Sequence, residues 1–384
     1  MLYYRYRPYS EVSLKELMYN EMYFSSPEEC NDPFDSKTFY EFDNDKEKWG
    51  KLIKLAFEPN KIEIPEVLLN TLVEHICNQC PLTFDDAINR DLFNGLKLNS
   101  PNEIALAKFL SLKIPTILRI YKPSTRYFVS FSEINSEPLM WSHYTDKHKG
   151  FCLIFRSINN TLNQSPNQKK RQVRRTTPNG LAPDMSHGLP EGFEFTKIDY
   201  EEEVKPLNAF LSLPVYVTGE AKNEEEKLKI FKDRESHYSQ KSKSWEYESE
   251  FRLMLRPPIP FLFGEHFDFT KQERLFHYEP SQLVGIIYGA RMELPEKNRI
   301  REILRERREW DIDFTKQKRI EFNFVEFEAK LSTKQRSVEV MPTGIITWQR
   351  IGVNDKNFER LYKEWQEGWG HERDGVSSKR IKVN

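Results

Sequence analysis

Cysteine is scarce. Four in 384 residues cannot build the disulfide framework that staples small secreted domains. No run is apolar for the about 18 residues that read as a membrane-spanning helix. The opening M-L-Y-Y-R-Y-R-P is interrupted by Arg5 and Arg7 before the apolar segment of a secretory leader can form. These absences predict a reducing, cytoplasmic setting. Net charge is almost missing too: at -1 the chain is not basic throughout, as general nucleic-acid coats are, although local basic patches stay open. Several catalytic signatures are absent. The sequence has no G-x-x-x-x-G-K-S/T phosphate loop, no H-E-x-x-H zinc helix, and no G-x-S-x-G elbow around Ser25 or Ser26.

The lone C-x-x-C, Cys77 to Cys80, has His75 close by but no second ligand pair at matching spacing, because Cys30 and Cys152 lie far along the chain. Leu68, Leu69, Leu72, Val73 and Ile76 recur around it at helical spacing. Two readings stay open, a metal or redox pair and cysteines on the apolar face of a helix, and no metal site is assigned.

What is present is aromatic and charged. Phe, Tyr and Trp make up 13% of the chain and charged residues 30%, which describes a polar globular protein with enough rings for a substantial core. Alternation predicts a strand over residues 1–7, and Ser10 caps a helix running to about Asn20. A strand over Met22–Ser25 leads into S-S-P-E-E-C-N-D-P-F-D, a polar loop anchored by Tyr23, Phe24 and Phe34. Helical periods then fill residues 45–57, 65–79, 83–96 and 102–121, which reads as an all-helical insertion, 45–121. Arg126–Ser132 is a strand, Pro138 opens a helix, and Phe151–Phe155 is a buried strand. Residues 157–190 are polar and punctuated by Pro and Gly, so a mobile surface loop is expected. Its 169–175 basic cluster is either solvated or touches a polyanion.

Further strands are expected at Phe195–Tyr200, Leu213–Val217, Phe267–Phe269, Leu283–Tyr288 and Ile320–Phe327. Charged helices are expected at Asn223–Lys243 and Pro295–Arg308. Residues 341–384, with Trp348, Trp365 and Trp369, read as a helical tail that frays. The fold class is α+β: a central, mainly antiparallel sheet with flanking helices. Residues 1–340 form one elaborated domain of catalytic type.

The densest chemical signal is Trp245–Arg256, W-E-Y-E-S-E-F-R-L-M-L-R. Tyr247, Ser249, Phe251, Leu253 and Leu255 alternate with Glu248, Glu250, Arg252 and Met254, the period of a strand with one charged face. Carboxylates side by side on a strand repel unless a cation or a substrate lies across them. One reading is a solvated face with an internal ion pair; the other is the carboxylate dyad of a glycosidic cleavage, whose positively charged transition state a fixed carboxylate favours. His143, on the Pro138 helix, is open between acid/base work and a hydrogen-bonded core role. Asn31-Asp32 is open between a substrate-binding corner and an Asx-turn. A third set, Asp32, Glu248 and Glu250, has the oxygen ligands for a Mg²⁺ nuclease, though Arg252 stands where the commonest such nuclease core places a lysine.

Five blocks together resemble the bacterial domain-of-unknown-function family 2971, in order over residues 1–330. They are L-Y-Y-R-Y-R, then M-Y-F-S-S-P-E-E-C-N-D-P-F-D, and F-V-S-F-S-E running on through P-L-M-W-S-H-Y. The last two are K-S-K-S-W-E-Y-E-S-E-F-R-L and L-V-G-I-I-Y-G. The order of motifs is also similar to the ADP-ribosyltransferase fold: an arginine on the first strand, S-x-S on a later one, and E-x-E on a third. That resemblance implies Arg5 or Arg7 on the phosphates of NAD, and Ser130 and Ser132 around the nicotinamide ribose. It makes Glu250 the catalytic carboxylate and Glu248 the residue turned toward the acceptor. Phe131 replaces the usual central threonine. Tyr3, Tyr127 or Trp141 could stack on a base, and Asn31 and Asp32 would border the ligand. The implied activity is transfer of ADP-ribose from NAD to a nucleic acid or protein, in a toxin or phage-defence setting. A non-catalytic binding module is the remaining alternative.

Overall fold

The structure is a computed structural model. It describes residues 1–383 except 33, 36–38, 124, 167, 171, 174–175, 178–179, 182–186, 204, 216–222, 257–267, 315–318, 348 and 375–376. Its centre is a ten-stranded sheet. The strands, in chain order, are β1 (Leu2–Arg7), β2 (Tyr127–Ser132), β3 (Phe151–Arg156), β4 (Thr161–Asn163), β5 (Gly192–Lys197), β6 (Glu250–Leu255), β7 (Leu283–Tyr288), β8 (Phe324–Ser332), β9 (Ser337–Ile346) and β10 (Arg350–Gly352). Across the sheet they run β10-β9-β8-β7-β3-β1-β2-β6-β5-β4. Every neighbouring pair is antiparallel except β7 with β8. The α+β class and the mainly antiparallel sheet follow the sequence pattern.

Helices cover both faces because strand alternation makes both faces apolar. On one face Tyr3, Phe131, Phe155, Phe195, Phe251 and Leu253 pack under α1 (Glu11–Met18) and the long helix Leu294–Phe314. Helix α1 begins where Ser10 accepts a hydrogen bond from the Ser13 N–H, the expected cap. On the other face Tyr6, Cys152, Ile154, Val284 and Val325 meet Met140 and Trp141 of Pro138–Tyr144 and Trp365 of Phe358–Gln366. Gly150 lets the chain enter β3 past the end of β1: a Cβ there would sit 2.2 Å from the Arg7 carbonyl oxygen.

Residues 45–121 contain the helices Lys46–Phe57, Glu66–Cys77, Phe84–Asn89 and Pro101–Tyr121. They close around their own core of Trp49, Leu52, Leu72, Leu110 and Ile114, completed from outside by Phe42 and Phe210. One two-residue strand, Leu82–Thr83, interrupts the helices; it pairs with Tyr40–Phe42, whose other edge takes Leu207–Asn208. Cys77 is buried on the apolar helix face, and Cys80 lies just past the helix end.

Several expectations are corrected. Residues 157–190 are not one loop: Thr161–Asn163 joins the sheet edge, and Gln172–Val173 pairs with His187–Gly188. Residues 171, 174 and 175 of the basic cluster lie outside the described residues. The helix read from Asn223 stops at Tyr238, and Gln240–Ser242 pairs as a strand with Asp199–Glu201. Leu213 follows a 3-10 turn rather than opening a strand, and residues 216, 217 and 267 lie outside the described residues. The terminal segment is neither helical throughout nor fraying. Residues to Ile346 belong to β9, and Trp369–Asp374 pairs with Ser377–Lys382. Trp365 anchors this end, 4% exposed with its Nε1 donating to the Val284 carbonyl at 3.0 Å. Trp348 is outside the described residues.

Candidate functional site

Six residue pairs join β1 to β3 and six join β2 to β6, but β1 and β2 pair only at Tyr4 and Ser132. Past that point the strands part. Ser25 takes the freed edge of β2: its N–H donates to the Phe128 carbonyl and its carbonyl accepts from the Phe128 N–H, each at 2.9 Å. The polar loop after Ser25 is thereby wedged into the gap, and a cleft of about 280 Å³ opens there. Its walls are β1, β2, the loop through Asp35, and Lys241, Trp245, Glu248 and Glu250.

A buried ionic cluster forms one wall. The Arg252 guanidinium, fully buried, donates through Nε and Nη2 to the two oxygens of Glu250 at 2.7 and 2.8 Å, and through Nη2 to Asp35 at 2.8 Å. Lys241 Nζ lies 2.5 Å from Glu248, 3.1 Å from Glu250 and 3.5 Å from Asp35. Tyr144 donates its hydroxyl to Glu248 at 2.5 Å, and the Glu250 N–H donates to the Tyr200 hydroxyl at 2.7 Å. Ser130 adds a hydroxyl hydrogen bond to Glu250. Ser132 is fully buried and holds the Glu248 carbonyl at 2.7 Å. The cations across the carboxylates are thus the protein's own.

Glu248 does not share the strand with Glu250. Lys243–Glu248 is a 3-10 turn, and Ser249 sits at φ 44°, ψ 55°, left-handed backbone, before β6 begins at Glu250. The reversal brings Glu248 to Lys241 from a different direction, so the two carboxylates have different surroundings. Burial raises the Glu248 carboxyl, Lys241 draws it back, and the neighbouring Glu250 charge pushes it up again, leaving it above its usual range. Burial acts upward on Glu250 as well, but the Arg252 and Lys241 charges outweigh it and hold that carboxyl down to about 2.

The sign of the resulting pH dependence follows. A carboxyl depressed from 4.5 to about 2 on folding contributes stability that is present above about 4.5 and lost as pH falls toward 2. The urea midpoint of the wild type is expected to fall through that window, and Glu250→Gln to flatten the fall. Parallel curves for both proteins would remove Glu250 as the source.

The sequence-selected residues divide. Ser130, Ser132, Asn31, Asp32, Glu248 and Glu250 border the cleft, as do Arg5 and Arg7. The arginines, however, share the Tyr3 face of β1, opposite Glu250 and Arg252, where Glu16 of α1 holds Arg7 at 2.7 Å and Arg5 at 3.8 Å. They reach the cleft only from the far side of the gap. Asp32 closes the Asx-turn, accepting from the Phe34 N–H at 2.9 Å, and is also 6% exposed at the cleft wall.

Three stacking candidates and His143 are corrected. Tyr3 stacks on Phe195 at 3.7 Å inside the core. Tyr127 is buried on the same core face, and Trp141 is buried with Nε1 donating to the Asn135 carbonyl at 2.8 Å. None presents a ring to a ligand. His143 is exposed, its ring 6.4 Å from that of Tyr247, which fits no core role, and it is not among the residues that line the cleft.

Asp35 and Lys241 are site residues that the sequence reading did not select. Asp35 is the last letter of N-D-P-F-D, and its motif was the available signal. Lys241 opens the K-S-K-S-W-E-Y-E-S-E-F-R-L block, which was its signal too, although it also falls in a stretch that reads as charged helix. Cys30 borders the cleft too, but burial pushes its thiol up to about 12, so it is protonated and unreactive at neutral pH.

Residues 140–253 match the family model described as Protein of unknown function (DUF2971), the family that the sequence blocks resemble. The matched stretch carries Tyr144, Lys241, Glu248, Glu250 and Arg252. No curated protein and no solved structure matches the chain. Among the described residues no helix is long and apolar enough to cross a membrane.

Proposed function

We propose that the cleft binds NAD and breaks its nicotinamide–ribose bond, passing ADP-ribose to a nucleic acid or protein acceptor. One observation carries the reading. The arginine, S-x-S and glutamate strands, far apart in sequence, lie side by side as β1, β2 and β6 around one cleft. The carboxylate pair supports it as well, because neighbouring acids pushed in opposite directions divide the labour of acid and base.

In this reading the C1′–N bond breaks and its electron pair leaves on the nicotinamide ring, which becomes neutral. Glu250, held as an anion, faces the positive charge left on the ribose. The acceptor oxygen or nitrogen then bonds to C1′, and its proton passes to ionised Glu248, the more basic carboxylate. Ser130 orients Glu250, and Tyr144 orients Glu248. The cleft volume is just below the range of about 300–1,000 Å³ usual for ligand pockets, which suits the nicotinamide riboside end rather than a whole dinucleotide.

A second reading rests on a specific observation: both Glu250 oxygens are already held by Arg252 and Lys241. A cluster so satisfied also suits a non-catalytic binding module. The nuclease reading recedes, because Lys241 and Arg252 occupy the space between the carboxylates. Among the described residues no group of three His, Cys, Asp or Glu is placed to hold a metal.

The test is incubation of purified protein with NAD, following free nicotinamide, with cell extract added to supply acceptors and calorimetry run in parallel. Nicotinamide release supports the transferase reading. Binding without release favours the module, and neither binding nor release rejects NAD as the ligand.

A further inference from the structure

Among the described residues, two side-chain atoms of the cleft lining are buried without a hydrogen-bond partner, Arg7 Nε and Asp32 Oδ2, and the Arg7 guanidinium is already paired with Glu16 through Nη2. Asp32 Oδ1 is engaged by the Phe34 N–H, but Oδ2 is buried and accepts no hydrogen bond. The residue is 6% exposed and borders the cleft. A buried carboxylate oxygen left unsatisfied costs more than an average hydrogen bond returns, so its presence beside a cavity points to a donor that arrives from outside.

The charge around Asp32 narrows what that donor is. On its side of the cleft stand the carboxylates of Asp32, Asp35, Glu248 and Glu250, against the cations Lys241 and Arg252. With all ionised this is four negative against two positive, a formal excess of two. Glu29 does not add to it, since Arg274 neutralises it at 2.9 Å. Arg5 and Arg7 are on the other side of the sheet and share Glu16. A neutral donor would satisfy Oδ2, but only a positive one also answers the excess.

We propose that this wall is a subsite for a cationic ligand head bearing an N–H donor, and that Asp32 is the residue that selects it. The subsite is a binding feature, independent of whether bond cleavage follows. Applied to the proposed function, on which this application rests, the head is the nicotinamide ring, charged in NAD and uncharged in NADH, with its carboxamide N–H on Oδ2.

The experiment compares NAD with NADH by calorimetry on the wild type and on Asp32→Asn. Asparagine keeps an oxygen for the Phe34 N–H, and a thermal unfolding curve checks that the variant folds. The wild type is expected to favour NAD by about tenfold, and Asp32→Asn to bring the two within about twofold, the loss of one charge-assisted hydrogen bond. Equal binding of both nucleotides by the wild type overturns the proposal while leaving the NAD reading intact, as does a preference that survives Asp32→Asn. If neither nucleotide binds, the NAD reading fails instead, and the same comparison is made with 1-methylnicotinamide against nicotinamide by ligand-observed NMR. Selective binding of the cation that Asp32→Asn abolishes upholds the subsite. Absence of selectivity overturns it.

Discussion

Replacing Glu250 with Gln is expected to slow nicotinamide release about 10²- to 10³-fold, the usual loss when one preorganised electrostatic group is removed from a transition state. Glu250 suits that role because Arg252, Lys241 and Ser130 fix both its position and its charge. A carboxylate held to about 2 remains an anion throughout the physiological range. Nicotinamide release should therefore show no acid limb from Glu250, and any acid limb should belong to Glu248, whose carboxyl is raised. Glu248→Gln is the companion variant: it should remove that limb and impair transfer to an acceptor more than simple hydrolysis. Stopped assays across pH 4 to 9, with and without acceptor, read all of these. Unchanged turnover in Glu250→Gln would leave the cluster as a structural device and move the binding-module reading ahead.

Arg252→Leu carries the largest expected loss of stability, about 3–5 kcal/mol, because it strips a buried pair of carboxylates of their main counter-charge. Arg252 has no exposed surface, bonds both Glu250 and Asp35, and stacks its guanidinium 4.1 Å over the Phe128 ring. Lys241 alone would then face Asp35, Glu248 and Glu250. The cost arises from what is left behind rather than from the pair's own worth, which gives the prediction a second arm. Adding Glu250→Gln to Arg252→Leu should recover part of the loss, a favourable coupling that a double-mutant cycle in urea isolates. Strict additivity would show that the two side chains do not sense each other. A single-variant loss below about 1 kcal/mol would show that water reaches the cluster.

Period-two alternation made β1 and β6 legible and an apolar run made β3 so, since each turns an apolar face toward the aromatic core. Alternation also overreached: it runs unbroken from Tyr247 to Leu255, yet the backbone turns left-handed at Ser249. Serine carries no local preference for that conformation, so only tertiary packing, through Ser132 on the Glu248 carbonyl, accounts for it. Lys241 was passed over for a related reason. Gln240–Ser242 follows a capped, charged helix, and nothing local announces that it will pair with Asp199–Glu201. Arg5 and Arg7 show the opposite failure. Their strand was read correctly, but their face follows from the register of Tyr3 with the core, and a motif carried from another fold does not carry the face with it. The terminal segment misled because its tryptophans have no obvious partners until β7, β8 and the last helix meet.

The single pair between Tyr4 and Ser132 makes the sheet a notched plate. One leaf, from β10 to β1, and the other, from β2 to β4, are each laced by full ladders. A notch concentrates deformation at its tip, so spreading the leaves breaks few backbone bonds, whereas bending either leaf breaks many. Whatever fills the gap acts as a splint across the two. The Tyr4 and Ser132 amides should therefore exchange faster than those of β3 in the free protein and slow when the gap is filled, as hydrogen exchange would register.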